Sequence, residues 1–222
     1  CGDPKAAARI AILDPVLTLS QPRNVSACTG IDAIAHAVET AVTNKKNELS
    51  WMFSKEAFGL LMPNIATVLN APDDLNARGS MLLGAAMAGC AIEASMLGAA
   101  HSTANPLTAH FDIVHGQAVG MMLPHVVRFN AEIEECRSAY SELVAIGKLG
   151  QADDSESDAE RLAKSLAKLL ELADMPGNLQ ASGVDEAKLP LLAEEAAAQW
   201  TANFNPREAG QAAMESIYRA AF

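Results

Sequence analysis

Asp32 and His36 stand four residues apart in the run GIDAIAHAVE (residues 30–39). On a helix that spacing puts both side chains on one face, a single turn apart. A carboxylate and an imidazole so placed can chelate one cation. His101 and His115 flank a proline-containing segment that can fold back as a helix–loop–helix and turn both rings inward. His101 follows Gly98-Ala99-Ala100 and His115 precedes Gly116, small neighbours that leave room beside each ring. The competing reading is a polar Asp–His pair on an exposed helix face with two satisfied core histidines, and spacing alone does not choose between the two. Glu39, one turn beyond His36, either orients a ligand or is a solvated helix charge. His110 reads as a structural or ligand-supporting ring, and His125, after Pro124, as structural.

The elements that must position these residues are nearly all helical. Arg9 to Leu13 is the one stretch that suits a strand. Pro15 and Pro22 then keep the chain extended, because proline lacks a donor and biases its predecessor away from helix. Ser26 or Thr29 is expected to cap a helix over Ile31 to Val42, with apolar residues at helical spacing. Leu49 to Leu69 reads as a second helix, with Pro63 kinking or restarting it. Asp73 or Asp74 should cap a third helix, Leu75 to about Leu97, whose small residues place it at the centre of the bundle. Residues 98–116 read as a connecting region, and residues 117–129 as an apolar segment broken at Pro124. Further helices are expected over 131–149, 161–173, 185–200 and 207–221, with an acidic loop at 151–158.

Composition agrees with that pattern. The chain has 222 residues, half of them hydrophobic and 5% aromatic. Alanine, the best helix former, dominates. Lys and Arg number 16 against 27 Asp and Glu, a formal charge of -11. Phosphate backbones and anionic lipid repel such a body, so nucleic acid and membrane surfaces are poor partners. The longest apolar stretch, Met81 to Ala100, is interrupted by Gly84, Gly89, Glu93 and Ser95, too often for a membrane span. Cys1, Cys28, Cys90 and Cys136 show no CxxC spacing and read as reduced, mostly buried thiols of a cytoplasmic protein. The opening Cys-Gly-Asp-Pro lacks an initiator Met, as expected of a processed product or part of a longer polypeptide.

Several separated runs together resemble the iron-containing (group III) alcohol dehydrogenase family. They are IAILDPVLTLSQP, then GIDAIAHAVE, then GAAHSTANPLTAHFDIVHGQAVGMMLPHVVRFN, and the tail FNPREAGQAAMESIYRAAF. The resemblance covers nearly the whole chain. It implies an all-α, multi-helix bundle: residues 1–20 as an extended lead-in and 21–222 as the helical metal-binding domain, without the family's N-terminal α/β nucleotide-binding domain. It further implies that Asp32, His36, His101 and His115 hold a divalent metal, Fe2+ first and Zn2+ as a substitute. Three imidazoles and a carboxylate suit either ion. The implied activity is NAD(P)-linked interconversion of a small alcohol and its aldehyde, with the metal as Lewis acid on the substrate oxygen.

Two departures qualify that expectation. Where many members carry a histidine four residues after the third ligand, this chain has Asn105, which can hydrogen-bond but cannot relay a proton near neutral pH. Asn105 is therefore expected to line the substrate pocket. No glycine-rich phosphate loop follows a strand anywhere, and Gly84, Gly89 and Gly98 are spaced for helix packing. The chain is thus expected to bind metal and, without the nucleotide domain, to have negligible dehydrogenase activity. The alternatives are a stand-alone metal-binding domain with a hydrolytic or a non-enzymatic interaction role, and a member without metal. In the interaction reading the face left uncovered should be an apolar patch that favours a homo-oligomer.

Overall fold

The computed structural model describes residues 8–150 and 156–222. Helix α1 (Arg23–Thr40) is buried along most of its length, with Ile31, Ile34 and Val38 interleaved with fully enclosed alanines. It packs against the next two helices and against the fifth. It begins eight residues before the expected start at Ile31. Pro22 precedes its first turn, where the N–H that proline lacks has no helical partner to lose. Ser26 and Thr29 lie inside the helix, and the Thr29 hydroxyl donates to the Val25 carbonyl at 2.8 Å rather than capping.

Helix α2 (Glu48–Asn70) opens with a reciprocal capping box between Asn47 and Ser50 and runs on through Pro63. Phe58 and Leu61 on its inner face are fully buried, and Trp51 lies half-buried beneath Lys46 and Lys55. Asp74 caps helix α3 (Leu75–Ala94) by accepting from Asn76 and Ala77. The expected central position of α3 is not found. It buries only Ala77, Arg78, Gly84, Ala88 and Ala91, and it lies mainly along α2. Its small residues serve one close helix pair, while α1 occupies the interior.

The expected connecting region contains helix α4 (Ala99–Phe111), which carries Pro106 inside it. Helix α5 (His115–Asn130) likewise continues through Pro124. Helices α6 (Glu134–Ile146), α7 (Asp158–Leu172), α8 (Leu189–Ala198) and α9 (Gln211–Ala221) complete the bundle, each shorter than or shifted from its expected span. Short 3-10 turns at Glu186–Lys188 and Trp200–Phe204 take up the ends of the segment read as one helix over 185–200. In α7, Leu162, Leu166, Leu169 and Leu170 form the apolar stripe that docks on α5. Each such leucine contributes about 2 kcal/mol by leaving water.

Arg9 to Leu13 forms no strand, and no strand occurs among the described residues. Ile10 and Ile12 stand 82% and 86% exposed, with no neighbouring strand to receive their backbone groups. A 3-10 turn over Pro15–Thr18 follows, capped by Asp14. Buried Arg78 ties this lead-in down by donating to the Thr18 carbonyl at 2.8 Å and to the Pro72 carbonyl. Cys28 and Cys136 are buried free thiols and Cys90 an exposed one, as the spacing suggested for these three; Cys1 and most of the acidic loop lie outside the described residues. No single helix among the described residues is long and apolar enough to cross a membrane.

Candidate metal centre

The site is built where α1, α4 and α5 meet. Helix α1 supplies Asp32 and His36 one turn apart, α4 supplies His101 from its first turn, and α5 begins with His115. All three rings present Nε2 to the one carboxylate. Asp32 Oδ1 lies 3.2 Å from His101 Nε2 and 3.7 Å from His115 Nε2. The other oxygen, Oδ2, lies 3.5 Å from His36 Nε2. Donor atoms of Asp32, His101 and His115 fall within 4.8 Å of one another, and His36 flanks that trio. Its ring stacks on His101, centroids 4.8 Å apart, while His115 tilts across His101 at 5.4 Å.

This donor set fits a divalent cation. Bonds of about 2.1 Å put neighbouring ligand atoms about 3 to 3.5 Å apart, close to the three distances from Asp32 to the histidine nitrogens. The site is graded from closed to open: the His101 side chain is 5% exposed and that of His115 39%. Burial pulls the Asp32 carboxyl upward, but the His101 hydrogen bond and the three imidazoles outweigh it, so its pKa is lowered. Burial pushes His36 down to about 4 and lowers His115 as well. His101 goes the other way: burial is overcome by the Glu39 and Asp32 carboxylates at its two nitrogens, and its pKa is raised. His36 and His115 are thus kept neutral, the form in which imidazole binds a metal, while the two carboxylates favour the charged form of His101.

Local structure explains how α4 delivers His101. Gly98 has no side chain to cap the helix, and the first free N–H groups find acceptors from elsewhere. Ala99 N–H donates to Asn205 Oδ1 at 3.2 Å, and Ala100 N–H to Glu39 Oε1 at 2.7 Å. A Cβ at residue 98 would lie 3.0 Å from the Asn205 oxygen and 3.2 Å from the Glu39 oxygen, so glycine there makes space for the two acceptors. Gly116 likewise serves the backbone and not the ring beside it. A Cβ at that position would lie 2.1 Å from the Cys28 carbonyl oxygen, so only glycine lets α5 approach α1 closely enough to bring His115 to Asp32.

Of the other residues singled out, Glu39 is 3% exposed and is no solvated charge; its Oε2 meets His101 Nδ1. Asn105, one turn past His101 and half-buried, donates from Nδ2 to Gln199 Oε1 at 3.2 Å. His110 pairs with Glu195 at 2.8 Å on the outer surface, away from the three converging rings. His125 is half-buried on α5, where burial and nearby Arg128 lower its pKa to about 4. The sequence does not single out Asn205. It joins Asn130 through a reciprocal amide pair and also caps α4, a role that no local pattern around residue 205 announces.

Residues 26–222 match the family model described as Fe-containing alcohol dehydrogenase family, C-terminal. A 1,3-propanediol dehydrogenase of Citrobacter freundii is 32% identical over 216 residues, covering 96% of this chain and 55% of the relative. Aldehyde-alcohol dehydrogenase 2 of Entamoeba histolytica is 31% identical, across 96% of this chain and 26% of its own length. The solved structure of a 1,3-propanediol oxidoreductase superposes with a TM-score of 0.87 at 29% identity, over 94% of this chain and 55% of that one. The chain therefore spans about half the length of the propanediol enzymes it matches.

Proposed function

The chain belongs to the iron-containing alcohol dehydrogenase family, and from that premise we propose that it is the metal-holding helical part of an NAD(P)-linked alcohol dehydrogenase. The observation that carries the reading is the convergence of three Nε2 atoms from three helices on the Asp32 carboxylate. Asp32, His36, His101 and His115 would hold the ion, Fe2+ first and Zn2+ as the substitute, since imidazole and carboxylate accept both. When bound, the ion supplies Lewis acidity toward the oxygen of a small alcohol or aldehyde.

The chain's own residues do the rest. Helix α1 fixes the carboxylate and His36 as a rigid pair, and Gly116 lets α5 bring His115 across to them. The exposed edge at His115 leaves a way in for substrate, while half-buried His36 flanks it and buried His101 closes the floor. Asn105 lies one turn from His101 with its amide nitrogen engaged by Gln199, so its Oδ1 is the atom that can accept a hydrogen bond from a substrate hydroxyl. It positions rather than relays, because an amide has no proton to exchange near neutral pH. Nicotinamide and pyrophosphate contacts are assigned to the part of the relatives' length that this chain does not span.

Metal analysis of the protein as isolated, beside Asp32→Ala, tests the reading. The expected result is about one equivalent of divalent metal per wild-type chain, with the variant losing more than the ~100-fold in affinity that removal of an outer hydrogen-bond partner costs. A wild-type protein without stoichiometric metal, or a variant that keeps it, would overturn the assignment.

A further inference from the structure

Among the described residues His101 is the one site imidazole with a carboxylate at each ring nitrogen: Asp32 at Nε2 and Glu39 at Nδ1. Both carboxylates come from α1, at positions that share one face over two turns. Glu39 is 3% exposed and has no Lys or Arg partner among the described ion pairs. An ionised carboxylate in such a place costs several kcal/mol unless hydrogen bonds satisfy it. Here each oxygen is used once, Oε1 by Ala100 N–H and Oε2 by His101 Nδ1.

We infer that Glu39 is a positioning residue, one that fixes the His101 ring and the first turn of α4 simultaneously and so sets where His101 Nε2 points. The toward-metal part of this inference rests on the reading of the site given above. The ring is clamped along α1 between two carboxylates of that helix, so rotation about its side-chain bonds breaks a hydrogen bond at one end or the other. The bond at Nδ1 also fixes the tautomer, leaving the Nε2 lone pair directed at the site whenever the ring is neutral. Because the same carboxylate receives Ala100 N–H, a shift of α4 relative to α1 is resisted at the residue next to the ligand. The helix end itself favours a negative charge there, through its free N–H groups. Glutamine cannot reproduce this arrangement: both atoms at the end of Glu39 accept, whereas an amide offers one acceptor and would face either Ala100 N–H or the ring N–H with another donor.

The test compares Glu39→Gln, Asn205→Ala and Gly98→Ala in this chain. Asn205 caps the same helix end at Ala99 but touches no ring, and Ala at 98 crowds the Asn205 and Glu39 oxygens together without altering any ligand. The first readout is the His101 Nδ1–H, told apart from Nε2–H by long-range proton–nitrogen NMR in the metal-free protein. Bonded to a buried carboxylate, it should be far downfield and slow to exchange; Glu39→Gln should abolish it and Asn205→Ala should keep it. The second readout is Zn2+ affinity by chelator competition, with the visible spectrum of Co2+ as a probe of ligand geometry. Glu39→Gln is expected to weaken binding about 10- to 100-fold and shift the Co2+ bands, with Gly98→Ala intermediate and Asn205→Ala within about three-fold of wild type.

Unchanged affinity together with a retained ring N–H in Glu39→Gln overturns the inference. So does an equal loss in Asn205→Ala, which would assign the effect to the helix end. A wild-type chain that binds no Zn2+ overturns the metal reading instead, and the ring resonance still decides whether Glu39 holds His101. If Glu39→Gln fails to fold, Gly98→Ala read against Asn205→Ala decides: a wild-type resonance and affinity in Gly98→Ala, or an equal loss in both, reject the inference, and a shifted resonance with weaker binding in Gly98→Ala alone supports it.

Discussion

On helix α4, His101 meets Glu39 with side chains 5% and 4% exposed, whereas His110 meets Glu195 with side chains 37% and 40% exposed. Residue types, and even the helix, are the same; the surroundings are not. His110 and Glu195 sit in water, where charge is screened and long side chains lose entropy when held together. His101 and Glu39 lie where water cannot compete, and a second carboxylate waits at the far ring nitrogen. A histidine–glutamate pair is therefore no sign of a site in itself. The sign is burial combined with convergence from separate helices, which requires close backbone approach, helix ends satisfied from outside and no other partners for the rings.

If that contrast is right, the inner end of α4 should be sensitive to changes that touch no ligand. Gly116→Ala is the most severe. Its new Cβ would meet the oxygen, carbon and Cα of Cys28 at 2.1, 2.6 and 2.9 Å, all backbone atoms of α1 that no rotamer change can move. The α1 and α5 helices must separate, at a cost of about 3 kcal/mol. His115 should withdraw from Asp32 with α5. Denaturant titration should show the loss of stability and chelator competition a matching loss of metal affinity. A stable variant with normal affinity would break the link between helix approach and site geometry.

Tyr218→Phe probes the middle of α4, between the two pairs. The buried Tyr218 hydroxyl donates to the Thr103 carbonyl at 2.6 Å and joins α9 to α4. Its removal leaves that carbonyl with its place in the helix and costs about 1 kcal/mol, a fall of about 3 °C in Tm for a chain this long. Metal affinity should not change, since Glu39 still holds Ala100 and His101 at the start of α4. A drop in affinity equal to that of Glu39→Gln would mean that the whole helix, and not its first turn, positions His101.

What the sequence makes legible follows the same division. Asp32 and His36 are readable because their relation is local: four residues on one helix share a face whatever surrounds them. The bundle, its helical character and the Asp74 cap are readable for the same reason. Helix α4 is not, because its local signals, Gly98 at the start and Pro106 within, argue against a helix. The compensating acceptors come from Glu39 and Asn205, remote in the chain. Glu39 keeps two readings in the sequence, since nothing near it says that Ala100 and His101 will arrive. The strand suggested for Arg9 to Leu13 fails for the opposite reason: its alternation is locally sound, but a strand exists only with a partner. The start of α1 at Arg23 is hidden by Pro22, which disfavours helix in its predecessor but is at home just before one.

The smallest effect belongs to the outer pair. Glu195→Gln removes the charge facing His110 but leaves an amide oxygen that can still accept from Nε2 across a 2.8 Å contact. Both side chains are over a third exposed, so water replaces what is lost, and the change in stability should stay under about 0.5 kcal/mol, shrinking further as salt is added. Metal affinity should be the same as wild type. The measurement has force because Glu39→Gln makes the same chemical change to the same kind of pair on the same helix. Should the two variants cost the same, in stability or in metal affinity, burial would not be what separates the two ends of α4, and the argument that enclosure turns a common ion pair into a positioning device would fail.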